Sequence, residues 1–342
     1  MTPIRLIFLS DTHLGYDLPV CPRIQRRRRG PEFFANFRRV LDDAVARKVD
    51  GVIHGGDLLY RSKVPRRLVE MVFEPLKTIA DRGIPVFIVP GNHERSRIPH
   101  SEFSVHPNLH VFTRPRTFRL DAKGRSLAIS GFPFVRENIR DRFEHIVEQT
   151  GWRQQDAECR LLCMHQSVEG ATVGPSNYVF RRGAEVIRAG DIPAAFSGVL
   201  SGHIHRFQVL EKDLRGKPLG STVFYPGAID RVSFAERDER KGYLAFRIDP
   251  APSDRVSKLS WNFRQLPVRP MVIVNLRPGA MGRDMFSRKL RRALGTLPAD
   301  AIVSLRIEGR ISDEQLPVLR AASIRSIAPP TMNVTVNLVD HR

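Results

Sequence analysis

The sequence predicts an α/β fold, a layered sheet flanked by helices with a small second α/β piece behind it. Three observations lead there. Short apolar runs alternate with amphipathic helical patterns early in the chain, a βαβαβ rhythm that belongs to layered α/β architectures. Short strands separated by turn residues fill the middle. The run Leu266-Pro267-Val268-Arg269-Pro270 then breaks the pattern, and strand–helix alternation restarts behind it. The 342 residues suffice for about two domains, drawn here at 1–265 and 266–342.

Residues 4–9 read as a buried strand. Over 31–48 a helix places Phe33, Phe34, Phe37, Val40, Leu41, Ala44 and Val45 on one face. Residues 51–54 form a strand, and 66–81 a helix with Leu68, Val72, Leu76 and Ile79 inward. Gly83-Ile84-Pro85 stops that helix before a strand at 86–89. Further strands are expected at 126–130, 161–164, 195–200, 207–210, 223–225 and 243–248, with a helix over 136–149. Behind the break, strands at 271–276, 301–307 and 333–338 alternate with helices at 283–294 and 313–322. A piece of about 70 residues has little core of its own, so it is expected to pack on the first domain.

Composition excludes several classes. With 42% hydrophobic and 27% charged residues the chain is too apolar to be disordered. It holds no run of 18 apolar residues, so no spanning helix is expected. The first residues read as a strand and not as a signal peptide. Cys21, Cys159 and Cys163 form no CxxC pair and are too few for a disulfide framework, which fits a reducing cytoplasm. Cys159 and Cys163 flank Leu161 at strand spacing and read as core thiols.

Charge points outward. Lys plus Arg number 55 against 36 Asp plus Glu, a net of +19. Residues 266–342 hold 12 basic and 6 acidic side chains, so the surplus is spread over both parts and is no detachable tail. Such a balance suits a polyanionic partner such as nucleic acid. Arg outnumbers Lys 46 to 9, which a GC-rich genome would also produce.

Five segments at predicted strand ends carry the chemistry: Asp11-Thr12-His13, Gly56-Asp57, Gly91-Asn92-His93-Glu94, His165, and Gly202-His203-Ile204-His205. An α/β sheet builds its site beyond the carboxyl ends of its strands, where all five fall. Imidazole, carboxylate and amide oxygen together suit divalent ions such as manganese, iron or zinc, and the lack of thiolates argues against a structural zinc site. Side chains at i and i+2 of an extended segment face the same way, so Asp11 and His13 are expected to converge on one ion, and His203 and His205 on two. Asp57 is placed to bridge them. Two ions sharing a water lower its pKa and clamp a phosphoryl oxygen for in-line displacement. His54, inside a strand, is expected to be packed.

This ordered set resembles the calcineurin-like metallophosphoesterase superfamily, whose motifs run DxH, GD, GNH, H and GHxH over roughly residues 4–250. The resemblance implies a β-sandwich flanked by helices. It implies one metal bound by Asp11, His13, Asp57 and His205 and a second by Asp57, Asn92, His165 and His203, with His93 as the non-ligand acid. Ser10-Asp11-Thr12-His13-Leu14-Gly15, Gly56-Asp57-Leu58-Leu59, Tyr225-Pro226-Gly227-Ala228-Ile229 and Lys241-Gly242-Tyr243 are similar to the SbcD-type nucleases and their double-strand-break-repair relatives. Residues 271–338 look like that family's capping domain. The likeness implies metal-dependent cleavage of DNA, as a 3′-to-5′ exonuclease and a single-strand endonuclease. Manganese is the expected metal, with iron, magnesium or zinc as alternatives.

Two departures bear on partners. Pro99 and Pro107 leave little helix after Glu94 for the family's homodimer interface, which leaves dimerisation open. Relatives often continue into helices that bind an SbcC-type ATPase; the present sequence ends at Arg342, so these are absent or trimmed away. Expected DNA contacts are the run Arg26, Arg27, Arg28 and Arg29, and the cations near ligands: Arg61, Lys63, Arg95, Arg97 and Arg206. Tyr178 is a candidate to stack on a base, and Phe180 to pack in the core. The alternative is a small-nucleotide phosphodiesterase or phosphomonoesterase on the same scaffold. A protein phosphatase would continue its second motif with Asp-Arg-Gly, where this chain has Asp57-Leu58-Leu59-Tyr60-Arg61-Ser62. A scaffold that lost its metals would not keep every ligand position filled.

Overall fold

The computed structural model describes residues 2–19, 21, 26–95, 103, 105–250 and 259–339. They divide into two compact units, one of Met1–Leu18, Arg29–Arg231 and Glu239–Pro267, the other of Pro19–Arg28, Val232–Asp238 and Val268–Arg342. The first unit begins β1 (Ile4–Leu9), α1 (Gly30–Ala46), β2 (Gly51–His54), α2 (Arg66–Asp81), β3 (Val86–Ile88) and β4 (Leu109–Val111). A hairpin of β5 (Arg116–Ala122) and β6 (Arg125–Gly131) follows, then α3 (Ile139–Gln149) and β7 (Cys159–Met164). Short strands β8 (Ser167–Val168), β9 (Thr172–Val173), β10 (Tyr178–Val179) and β11 (Val186–Ile187) lead to β12 (Gly198–Ser201). The unit closes with β13 (Gln208–Lys212), β14 (Pro218–Tyr225), β15 (Gly242–Ile248) and β16 (Leu259–Gln265).

Two six-stranded mixed sheets result, ordered β16-β15-β1-β2-β3-β4 and β13-β14-β12-β7-β6-β5. In the first, β1 to β4 run parallel and β15 and β16 are antiparallel additions. In the second, β14, β12, β7 and β6 are parallel, with antiparallel edges β13 and β5. The sheets face each other as a β-sandwich because alternate residues of both enter one apolar cluster. Ile4, Leu6 and Phe8 of β1 and Leu244, Phe246 and Ile248 of β15 meet Leu127, Ile129, Cys159, Leu161 and Cys163 from the other sheet. The two cysteines are thus core thiols. On the outer face of the second sheet, Leu162, Met164, Val199 and Val223 pack with Ile139, Phe143, Ile146 and Val147 of α3. The Tyr243 hydroxyl donates to Asp43 Oδ2 at 2.6 Å and ties α1 to β15.

The second unit contains β17 (Met271–Leu276), α4 (Arg283–Gly295), β18 (Ile302–Glu308), α5 (Ala321–Ile327) and β19 (Asn333–Val339). Its three strands are parallel, in the order β17-β18-β19. Phe286, Leu290 and Leu294 of α4 cover Val303, Leu305 and Ile307, so the unit closes an apolar cluster of its own.

Three local expectations shift. The helix expected at 136–149 starts at Ile139 because Asn138 takes a left-handed conformation, φ 53°. The helix expected at 313–322 is replaced by a 3₁₀ turn, Leu316–Leu319, followed by α5; Pro317 lacks the amide hydrogen an α-helix needs there. Strands β4, β5, β8 to β11 and β16 lie outside the strands expected from the sequence. Among the described residues no helix is long and apolar enough to cross a membrane.

Candidate metal centre

The site grows from the carboxyl ends of five parallel strands, three in one sheet and two in the other. Beyond β1 and β2 the chains continue side by side, with Asp11 N donating to Gly56 O at 2.9 Å and His13 N to Asp57 O at 3.0 Å. The residues are not pleated strand here. Asp11, His13, Asp57 and His203 all have positive φ, at 50°, 44°, 52° and 81°. Asp11 and His13 therefore converge through a left-handed loop and not through the i, i+2 alternation that the sequence suggested. Each such non-glycine residue costs about 1–3 kcal/mol, a strain that clusters at functional sites. Gly91 lets this happen, since a Cβ there would collide with the Asp57 carboxylate and amide.

Asp57 is the centre. Its Oδ1 accepts from the His93 amide at 2.9 Å, and its Oδ2 lies 3.4 Å from His165 Nε2, 3.7 Å from His93 Nε2 and 4.0 Å from His13 Nε2. On one side, His13 Nε2 and His205 Nε2 are 3.0 Å apart, and Asp11 Oδ1 is 3.7 Å from His205 Nε2. On the other, Asn92 Oδ1 lies 3.0 Å from His165 Nε2 and 2.9 Å from His203 Nδ1. The structure thus brings Asp11, His13, Asp57, Asn92, His165, His203, His205 and His93 together. The donor set fits divalent cations: lone pairs of several imidazoles and buried carboxylates point at shared points in space, an arrangement that repels itself without positive charge between.

Orientation comes from the surrounding backbone. His165 Nδ1 donates to Gly55 O at 2.7 Å, which turns Nε2 inward, and His93 Nδ1 donates to Tyr60 O at 2.6 Å with the same effect. Asp11 accepts from Ser10 Oγ at 2.5 Å and from the His203 amide at 3.2 Å. Burial alone would raise the Asp57 carboxyl and lower the His165 imidazole. Their mutual attraction wins, so Asp57 is held well below the carboxylate range and His165 up at about 9. Burial pushes Asp11 upward and His203 down to about 3. Glu94, part of the third motif but without a role in the sequence reading, has a structural one. Its buried carboxylate accepts from Leu59 N at 2.6 Å and Gly91 N at 2.7 Å, stapling the Asp57 loop to the Asn92-His93 loop. Burial, then the neighbouring Asp57, lifts it to about 8. Its place directly after Gly91-Asn92-His93 was the available signal.

Comparison with known proteins bears on what such a centre belongs to. The calcineurin-like phosphoesterase family matches residues 4–207. Two proteins named DNA double-strand break repair protein Mre11 are similar over most of their length. That of Halobacterium salinarum is 30% identical, covering 89% of this chain and 70% of its own. That of Sulfurisphaera tokodaii is 24% identical, covering 96% and 80%. This chain is a calcineurin-like phosphoesterase of the Mre11 family. The phosphoesterase is accordingly a hydrolase, and its family holds divalent metal at such Asp/His groups.

The phosphoesterase sorts the basic residues into different settings. Arg61, Lys63 and Arg95 are exposed. Arg29, expected at a phosphate backbone, lies inside instead: its Nη2 donates to Asp230 Oδ1 at 3.0 Å and to Arg231 O at 2.6 Å, and it stacks on Tyr16 and Phe33. That buried ion pair corrects the reading of 26–29 as one solvent-facing run. In the second unit, Asn333 Nδ2 donates to Arg27 O at 2.9 Å, and Arg26 and Arg27 are exposed. Arg206 is tied down by Glu239, Asn177 and Gly174. Arg97 and Pro99 lie outside the described residues. Phe180 packs on the outer core, while Tyr178 is 57% exposed.

His54 is packed and has a defined job. Its Nδ1 accepts from Gly56 N at 3.2 Å and its Nε2 donates to Thr12 Oγ1 at 3.0 Å, whose hydroxyl donates to Leu58 O at 3.0 Å. That chain holds both sides of Asp57 and requires a neutral ring. Burial, chiefly, lowers its pKa to about 3. The unfolded chain protonates near 6.5, so protons favour the unfolded state between these values and stability falls as pH drops through them. His54→Gln is expected to flatten the loss of denaturant midpoint between pH 6.5 and 4; an unchanged slope would remove His54 from the acid response.

Proposed function

We propose that this phosphoesterase is a two-metal nuclease of DNA repair that hydrolyses DNA phosphodiester bonds, as a 3′-to-5′ exonuclease and a single-strand endonuclease. The observation that carries the reading is the convergence of six further ligand candidates, Asp11, His13, Asn92, His165, His203 and His205, on the Asp57 site in a chain of the Mre11 family. Asp11, His13, Asp57 and His205 would hold one ion, and Asp57, Asn92, His165 and His203 the other. Manganese heads the candidates. Two ions there supply Lewis-acid activation of water and neutralise charge on a phosphoryl group.

The chain's own residues supply the rest. His93 keeps its Nδ1 proton on Tyr60 O, so Nε2 is the atom that exchanges a proton with the reacting ester. Its side chain is 35% exposed, open to a substrate, whereas that of Asp57 is only 2% exposed. His93 as the imidazolium protonates the leaving oxygen. Arg61, Lys63 and Arg95 offer charge to a phosphate backbone. Tyr178, with Arg181 and Arg182 beside it, offers a stacking face for a base. DNA is the partner that this surface and the +19 charge favour, and family membership favours an SbcC-type ATPase as the protein partner.

Incubation of end-labelled single- and double-stranded DNA with Mn²⁺, Mg²⁺ or Zn²⁺ tests the assignment. Asp57→Ala should abolish cleavage and metal uptake together. His93→Ala should keep its metal and lose about 10²–10⁴-fold in turnover. Metal retained in Asp57→Ala and lost in His93→Ala would reverse the roles. Wild-type hydrolysis of a small chromogenic diester with no DNA cleavage in any metal would favour a small phosphodiesterase instead.

Salt dependence tests the contact surface. Each phosphate contact contributes about −0.9 to the log–log slope of affinity against salt on duplex and about −0.7 on single strands. Replacing Arg61, Lys63 and Arg95 by serine should make that slope shallower by about 1–3 units for non-cleavable DNA. An unchanged slope would return these residues to a solvated surface.

A further inference from the structure

We propose that Lys241 is a positioning residue for the metal centre: its buried ammonium grips the main chain at His205 and sets that ligand for the first metal. This rests on the two-metal reading above.

Lys241 is fully buried, at 0% exposure, just ahead of β15. A lysine is rarely placed there, because its charge loses its water and must be met by good partners. The partners here are specific. Nζ donates to the main-chain oxygen of His205 at 2.8 Å and to Glu239 Oε2 at 3.0 Å. Glu239 turns its other oxygen to Arg206 Nε at 3.2 Å, and its main-chain oxygen accepts from Arg231 Nη2 at 3.0 Å. Arg206 reaches on to Asn177 Oδ1 at 2.7 Å and Gly174 O at 2.6 Å.

The arrangement solves a local problem. His205 lies beyond β12 in one sheet, in a segment without regular structure, and must meet Asp11 and His13 from the other sheet. Lys241 stands at the entry to that other sheet. Its own main-chain oxygen accepts from Leu266 N at 2.8 Å, and the next residue enters β15 beside β1. The ammonium therefore fixes the His205 backbone relative to the sheet that carries Asp11 and His13. Ala228 N donates to the same His205 oxygen at 3.1 Å, so the carbonyl is held from two directions. On the other side of Asp57, His165 is oriented by Gly55 O, and Asn92 Oδ1 lies between His165 and His203.

The test is calorimetric titration of metal-free wild type, Lys241→Met and Glu239→Gln with Mn²⁺, with the absorption spectrum of the Co²⁺-loaded proteins as a second readout. Loss of an outer orienting contact typically weakens a metal site about 10–100-fold. Lys241→Met is expected to weaken one of the two sites by that factor, leave the other within about threefold, and alter the Co²⁺ spectrum of the weakened site. Glu239→Gln removes the carboxylate that anchors the ammonium and should weaken the same site to a smaller extent. Two unchanged affinities in a folded Lys241→Met would overturn the proposal, as would equal weakening of both sites. If Lys241→Met does not fold, wild-type affinities in Glu239→Gln would overturn it. A wild type that binds fewer than two ions overturns the two-metal reading itself.

Discussion

A single buried carboxylate governs this site. Asp57 sits at the end of a short central strand with three imidazoles within 4.0 Å of Oδ2. A carboxylate removed from water needs positive charge or several donors, and everything around Asp57 answers that need. The His93 amide binds one oxygen, His165 faces the other, and Glu94 and His54 hold the flanking backbone. The left-handed conformation at Asp57 itself is the cost of turning the carboxylate into the cleft, and Gly91 leaves room for it.

The sandwich exists, for this purpose, to bring two sheets' strand ends together. Each sheet has a run of four parallel strands, so Asp11, Asp57 and Asn92 arrive from one and His165, His203 and His205 from the other. Neither sheet alone holds the full set of candidate ligands. Contacts that cross between them therefore matter beyond their number: His165 Nδ1 to Gly55 O, His203 N to Asp11, and Lys241 Nζ to His205 O. All three act on the direction of a candidate ligand and not on its identity.

Much of this was legible in the sequence because it is written in apolar periodicity and strand-end residues. The strands at 4–9 and 51–54 and the helix at 66–81 follow from pattern alone, and the ligand candidates follow from residue type at their ends. What pattern does not carry is backbone conformation and pairing of charges. Nothing in Asp11-Thr12-His13 announces two left-handed residues. The turn between β5 and β6 uses Lys123 and Gly124, both with positive φ, where the usual hairpin signal would be Asn-Gly or Asp-Gly, and the hairpin went unseen. Arg29 reads like its three neighbours until Asp230, some two hundred residues away, claims it. Glu94 and Lys241 likewise look like surface charges, since the groups that bury them come from distant segments.

In the proposed two-metal centre, Asp57 sits between the ions. Anomalous diffraction from crystals equilibrated with Mn²⁺ tests it most directly. Two peaks about 3.5–4 Å apart are expected, with Asp57 within bonding distance of both. A single peak, or a pair that does not share Asp57, would contradict it.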